Sequence, residues 1–403
     1  MSPHRGPTAF VKFRADAPFS FHISATESRH RQGGDGSRAY YTRSRLVLQQ
    51  VRQAGPAARV VAESAHFRTL PAERWARDYG RQKVMFVLPS EALGDCVGVV
   101  LFLRAFRRRF PEAGVTIANT GAASDLFGRE PGVRVLPLVV SEKELDGHFP
   151  IIDLGEVDGW DTVTTQPVDV ETTLLLRFGL DPVEVPPRPL SAGRPAVAIL
   201  PMASSPLRTL PPQVAAAIAT ALHEKADVTV VLNAYQGLKP AYERRLVPLL
   251  PKDVRVSPGF PTTAGLLDFL AAQDFVVTAD SGPAHLSKLF GTRGLAIYTS
   301  ASGTVLQGRH GNLDLWQVDY AGRHCAAPCG LAKLRATADG RVGCMGSLNL
   351  PVEDLPNLVG EAQPALAERL TFDDHVPCVA RLVEERDRVA QAALDHFSSL
   401  SSR

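Results

Sequence analysis

Apolar positions are unevenly distributed along this chain. In the first eighty residues they hold no sustained period of 2 or 3.6, but from Val84 onward they gather into short runs that alternate with helically spaced segments. The run VMFVLP ends in Pro and reads as a strand buried on both faces. After the loop SEALGD, the stretch from Cys96 to Phe110 places Val99, Val100, Leu103 and Phe106 on one helical face and closes at Pro111. Strand VTIAN, a helix near Asp125, strands VRVLPL and PIIDL and the helical segment TTLLLRFGL continue the alternation. Such alternation predicts an α/β fold with a mostly parallel, doubly wound sheet.

Residues 181–195 are dense in Pro and suit neither element type, so they are expected to link two domains. A second series follows at once: strand AVAIL, helix QVAAAIATALHEK, strand DVTVVLN, helix AYERRLVPLL, strand VRVSP, helix TAGLLDFLAAQ, strand DFVVTAD, helix PAHLSKLFG and strand GLAIYT. Two Rossmann-like domains facing a cleft are the expected architecture. The predicted divisions are an N-terminal extension (1–80), a first domain (81–185), a second domain (186–374) with a Cys-rich segment (321–350), and a closing helix (375–403). That last helix carries Leu382, Val383, Val389, Ala393, Leu394 and Phe397 on its apolar side and is expected to pack back across the domains.

Composition narrows the class. With 403 residues, 45% hydrophobic and 21% charged, the chain has material for two or three cores, which excludes collagen, coiled coil and wholesale disorder. No apolar stretch approaches the roughly 20 residues of a membrane span, and no signal pattern opens the sequence, so a cytoplasmic location is expected. A formal charge of +2 gives no nucleic-acid signature. The Arg run at Arg104 and Arg107 to Arg109 reads either as a solvated helix face or as a peripheral contact with an anionic membrane.

Ligands of open parallel sheets bind beyond the carboxyl ends of strands, so the loops there are where chemistry is expected. In SEALGD, Asp95 reads either as a helix cap or as a general base. In PMASSPLRTLPP, Arg208 is the one charged side chain and suits a diphosphate, with Ser204 and Ser205 as further donors or as turn formers. In TADSGPAHLSKLFG, a strand ends at Asp280, Ser281 and Gly282 turn tightly, and Pro283 takes the first helical position. The exposed helix start is an anion site, with Asp280 expected on sugar hydroxyls or backbone while Ser281 and Gly282 face the phosphates. His285, one turn on, could face cleft or core.

Five cysteines do not make a disulfide framework, but Cys325, Cys329, Cys344 and Cys378 fall in the last fifth of the chain. Four thiolates at this spacing suit a structural zinc or iron. Buried free thiols are the competing reading, and His324 or His375 could replace one ligand. Cys96, beside Asp95, reads as helix packing.

The stretches LPSEALGDCVGVVLFLRAFRRRFPEAGVTI and DFVVTADSGPAHLSKLFGTRGLAIYT resemble the two signature regions of glycosyltransferase family 9, the ADP-heptose:lipopolysaccharide heptosyltransferase family. The resemblance runs from about Val84 to about Met345. It implies a GT-B fold, a nucleotide-sugar donor in the C-terminal domain and an acceptor mainly in the N-terminal domain, beside Ser90, Glu91 and Gly94. Asp95 matches the residue that deprotonates the acceptor in an inverting displacement, and Asp280 to Gly282 match the donor turn. No cofactor is implied for catalysis. Two departures stand out: the family often carries Lys where this chain has Arg208, and Arg before Gly-Asp where this chain has SEA.

The expected activity is transfer of a heptose or related sugar from an NDP-sugar, ADP-sugar favoured. The acceptor classes are a lipopolysaccharide core, another envelope glycan, a lipid-linked glycan or a protein. A nucleotide-sugar epimerase or hydrolase of the same architecture and a metal-stapled scaffold are the rivals. NAD chemistry is disfavoured because no strand leads into Gly-x-Gly-x-x-Gly.

Overall fold

The structure is a computed structural model that describes residues 10–15, 19–22, 28–31, 39–42, 45–53, 58–65, 82–90, 92–119, 123–148, 150–154, 168–232, 237–323, 325–336, 342–344 and 363–401. It divides into two units, Met1–Glu184 and Val185–Arg403, at a point inside the Pro-rich stretch.

The first unit opens with β1 (Phe10–Ala15), β2 (Phe19–His22), β3 (Ser28–Arg31), β4 (Ala39–Thr42), α1 (Arg45–Gln53) and β5 (Ala58–Ala65). It continues with β6 (Lys83–Leu88), α2 (Leu93–Arg109), β7 (Gly114–Asn119), α3 (Ser124–Gly128), β8 (Val133–Leu136), β9 (Val140–Ser141), α4 (Glu142–Asp146), β10 (Ile151–Asp153) and α5 (Val170–Phe178). Strands β6, β7, β8 and β10 form a parallel sheet in the order β10-β6-β7-β8. Strand β6 has the continuous apolar run of a strand covered on both faces and is buried from Val84 to Leu88, and β7 is buried from Val115 to Asn119, whereas the edge strand β8 exposes Arg134. Phe86 anchors the packing: its ring lies 5.4 Å from Phe102 and 5.2 Å from Phe106 of α2, and 6.2 Å from Phe178 of α5. Gly98 lets α2 and α5 approach closely, since a Cβ there would lie 2.9 Å from the Val170 Cβ.

The N-terminal region is more regular than its sequence suggests. Strands β5, β1, β4 and β9 make an antiparallel sheet, so residues 140–141 of the parallel unit extend it. Its core side alternates Val11, Phe13, Ala15, a period of 2 too short to register beside polar neighbours.

The second unit contains β11 (Ala196–Leu200), α6 (Pro212–Leu222), β12 (Asp227–Val231), α7 (Lys239–Leu246), β13 (Arg255–Ser257), α8 (Thr263–Ala271), β14 (Phe275–Ala279), α9 (Gly282–Phe290), β15 (Arg293–Tyr298), α10 (Gly303–Gln307) and β16 (Leu313–Gln317). Its six parallel strands run β13-β12-β11-β14-β15-β16. Numbered from the start of the unit this is the doubly wound order 3-2-1-4-5-6, whose reversal falls between β11 and β14. Strand β16 is absent from the sequence-based series because LDLWQ exposes one residue and half-buries three.

The chain closes with α11 (Gln363–Phe372), α12 (Pro377–Glu384) and α13 (Arg386–Ser401). The single closing helix expected from the sequence is thus two, interrupted at Glu385, and α13 packs on α6 and β15 within the second unit. The Cys-rich segment does not lack apolar support: Leu331 and Cys344 share a small core with Leu207, Leu366, Leu370, Val376 and Val379. Among the described residues no helix is long and apolar enough to cross a membrane.

Candidate active site

In the first unit the order β10-β6-β7-β8 reverses at β6, and the loop after β6 carries the expected base. Helix α2 starts three residues earlier than the sequence suggests, so Asp95 lies in its first turn and Ala92 occupies the N-cap. Asp95 is therefore not the cap. The Ser90 hydroxyl accepts from the Ala92 N–H at 3.2 Å and donates to Asp95 Oδ2 at 2.6 Å. With its lone pair engaged by Ala92, the hydroxyl proton is directed at the carboxylate.

Asn119 fixes that serine. It ends β7, paired with Leu88 across the sheet, and is 1% exposed. Its side-chain amide donates to the carbonyls of Leu88 and Ser90, both at 2.9 Å. Sequence reasoning missed Asn119; the available signal was a lone amide closing an otherwise apolar strand, VTIAN. Gly94 sits beside Asp95 in the first helical turn and is partly exposed, while Glu91 lies outside the described residues. Cys96 is fully buried, in keeping with packing.

Much of the Arg run is engaged within this unit. Arg104 pairs with Glu130 at 2.8 Å, Arg108 donates to the Asp181 and Pro182 carbonyls at 2.9 and 3.1 Å, and Arg109 lies over the Phe110 ring.

In the second unit the loops after β11 and β14, on either side of the strand-order reversal, bring together Ser204, Arg208, Asp280 and Ser281. The Arg208 guanidinium donates to the Ser204 hydroxyl at 2.7 Å and the Asp280 carbonyl at 3.2 Å, and its Nη1 lies 3.4 Å from Asp280 Oδ2. Thr209 braces the loop by donating to the Ser205 carbonyl at 3.0 Å and accepting from the Ala203 N–H at 3.1 Å. Ser205 itself is buried, its hydroxyl accepting from the Leu207 N–H at 3.3 Å, so it shapes the loop.

Asp280 is 1% exposed, which changes its expected role. Its carboxylate lies beside Arg208, and it would reach sugar hydroxyls only if that contact opened. Burial pushes its pKa up, opposed by Arg208. Neither carboxylate oxygen has a hydrogen-bond partner among the described residues, nor do Arg208 Nε and the buried Tyr298 hydroxyl. The Asp280 charge adds to burial in raising the Tyr298 pKa, so Tyr298 belongs to the same cluster. Tyr298 closes β15 and is absent from the sequence-predicted set.

Ser281 is the N-cap of α9, but its hydroxyl turns back to the Ala279 carbonyl at 3.3 Å and caps nothing. Gly282 and Pro283 follow as the first helical residues, Pro283 buried, so the helix start is not neutralised by a side chain. His285 keeps part of its surface accessible. Enclosure of its ring, with added positive charge from Lys288, Arg208 and His310, pushes its pKa down to about 3. Lys288, 5% exposed, donates from Nζ to the Leu306 carbonyl at 2.6 Å, a buried cation one turn beyond His285 that the sequence did not single out.

A third feature lies under the Arg208 loop. Cys325, Cys329, Cys344 and Cys378 all line one cavity of about 20 Å³, together with Leu207 and Ser300. The volume is enough for about one small occupant, a water molecule or a single ion. Burial, then the neighbouring thiols of Cys344, Cys329 and Cys325, pushes the Cys378 thiol up to about 12. No group of three or more His, Cys, Asp or Glu among the described residues stands in metal-ligand geometry, yet four soft donors around an atom-sized space fit a zinc or iron ion by chemistry. His375 is engaged elsewhere, its Nδ1 donating to the Leu370 carbonyl at 3.2 Å and its Nε2 accepting from the Gln213 amide at 3.5 Å, and His324 lies outside the described residues.

Comparison with known proteins shows what this chain is similar to. Residues 160–314 match the sequence model of glycosyltransferase family 9 (heptosyltransferase), a span that includes Arg208 and the Asp280 turn and stops short of the Asp95 loop. No curated protein matches. Among solved structures, the glycosyl transferase family 9 from Veillonella parvula DSM 2008 aligns with a TM-score of 0.51 at 11% identity, covering 79% of this chain and 99% of that one. Dodecameric iron-containing heptosyltransferase TibC, in complex with ADP-D-beta-D-heptose, aligns at 0.47 and 12% identity over 98% and 92% of the two chains. E. coli heptosyltransferase WaaC with ADP-2-deoxy-2-fluoro heptose aligns at 0.43 and 13% over 59% and 93%. The fold is shared with the Veillonella parvula protein, and the match over residues 160–314 bears out the resemblance to family 9 read from the sequence.

Proposed function

We propose that this protein is an inverting glycosyltransferase that moves a heptose or related sugar from a nucleoside-diphosphate sugar to a hydroxyl acceptor. ADP-heptose is the first donor to consider, because the matched family is described as heptosyltransferases. The acceptor is a lipopolysaccharide core, another envelope glycan or a protein, reached from the cytoplasmic side. The observation that carries the reading is Arg208, held by Ser204 and Asp280 beside the uncapped start of α9 at the strand-order reversal of the second unit.

As the bond from the anomeric carbon to the diphosphate breaks, negative charge grows on the leaving oxygens. Arg208 and the N–H groups at the start of α9 would stabilise it from fixed positions. His285 stays neutral at ordinary pH and offers an imidazole hydrogen bond without adding charge. Asp95, directed by Ser90, would take the acceptor proton as the new carbon–oxygen bond forms. No step requires a metal. We further propose that the four cysteines hold a structural zinc or iron, which would tie the Cys-rich segment to Leu207, the residue before Arg208.

The test is Asp95→Asn. Transfer from ADP-heptose to a family acceptor is expected to fall by about 10²–10⁴ with ADP affinity unchanged. Wild-type transfer rates in this variant would remove Asp95 as the base.

A further inference from the structure

The finishing ends of β6 and β7 carry Ser90 and Asn119, while their starting ends border a recess that the transfer reaction leaves unused. Lys83 opens β6 and Arg134 is the second residue of β8; the strands are parallel, so both lie on the edge of the sheet opposite Asp95. Lys143 of α4 joins them around a recess of about 580 Å³, within the size range of small-ligand sites. None of these three exposed cations has an ion pair among the described residues. Glu144 is the recess's acid, and its carboxylate already accepts from the Ser141 N–H at 2.8 Å in a capping box.

His148 is the recess's buried residue, 8% exposed. Its Nδ1 donates to the Glu144 carbonyl at 2.6 Å, which leaves Nε2 to accept from the Thr116 hydroxyl at 2.9 Å. Burial, with positive charge from Arg134 and Lys83, holds this imidazole below its ordinary range, so both cations act on the same point. Lys83 and Arg134 both place positive charge on this imidazole, and a bound dianion would be attracted by them and by Lys143 in the same recess.

We propose that this recess binds a phosphate monoester, its charge neutralised by Lys83, Arg134 and Lys143, at a site in the first unit separate from the donor site in the second. The shared chemistry admits a soluble phosphorylated compound or the headgroup of an anionic phospholipid.

The experiment uses full-length protein with labelled histidine, saturated with ADP so that the donor site is occupied. Inorganic phosphate is expected to shift the His148 ring resonances saturably. In Lys83→Glu/Arg134→Glu, which alters exposed side chains without an ion pair among the described residues, phosphate affinity should fall by about tenfold or more while ADP affinity is retained. Co-sedimentation with phosphatidic acid vesicles, lost in the same variant, assigns the lipid source; a phosphate response without co-sedimentation assigns a soluble one. A His148 signal that phosphate leaves unmoved, or that moves equally in the variant, overturns the proposal.

Discussion

Removing the Ser90 hydroxyl tests how Asp95 is prepared for its work. A donor to a carboxylate favours its charged form, and Ser90 donates to Asp95 at 2.6 Å. In Ser90→Ala kcat/KM is therefore expected to fall by about tenfold while ADP affinity stays as in wild type; an unchanged kcat/KM would leave Ser90 a loop former only. His285 has the opposite electrostatics. Its folded pKa lies near 3 against an ordinary 6.5, so between these values the unfolded chain takes up a proton that the folded chain refuses. Stability contributed by the neutral ring is present above pH about 6.5 and is lost as pH falls toward 3, by up to about 2 kcal/mol at pH 5 given 1.36 kcal/mol per unit. Urea unfolding should lose less stability between pH 7.5 and 5 in His285→Gln than in wild type, and equal losses would contradict the burial of this ring. At this scale the sequence located Asp95, Arg208 and Asp280 by their loops. It did not disclose what they touch: Asn119, Tyr298 and Lys288 come from neighbouring strands and helices and only tertiary packing brings them in.

At the scale of elements, legibility followed burial. Strands covered on both faces, such as β6, β11 and β14, are continuous apolar runs and were readable directly. The half-exposed β16 and the short N-terminal strands gave no such run, and the break at Glu385 follows no Pro or Gly. Spacing suggested a site at Cys325 and Cys329 that Cys344 and Cys378 could complete, but the cavity the four share depends on Leu207 and Ser300 from other elements. Elemental analysis of purified protein is expected to find zinc or iron near one equivalent, with Cys378→Ser losing the metal and lowering Tm. Metal-free wild-type protein that keeps its Tm would leave these cysteines as packing residues.

At the scale of the molecule, the alternation of strands and helices foretold two parallel units, and their strand orders place the reactive loops. Both reversals, at β6 in the first unit and between β11 and β14 in the second, coincide with the loops that carry Asp95, Arg208 and Asp280. This coincidence explains why loops far apart in sequence could be selected before any contact was known. The chemistry then rests on one claim, that the second unit holds a nucleoside diphosphate with Arg208. Titration calorimetry of ADP into wild type and Arg208→Ala tests it most directly: the account predicts measurable binding to wild type and about tenfold or greater weakening in the variant. Equal affinity in the two proteins, or no binding of ADP to folded wild type, would contradict it.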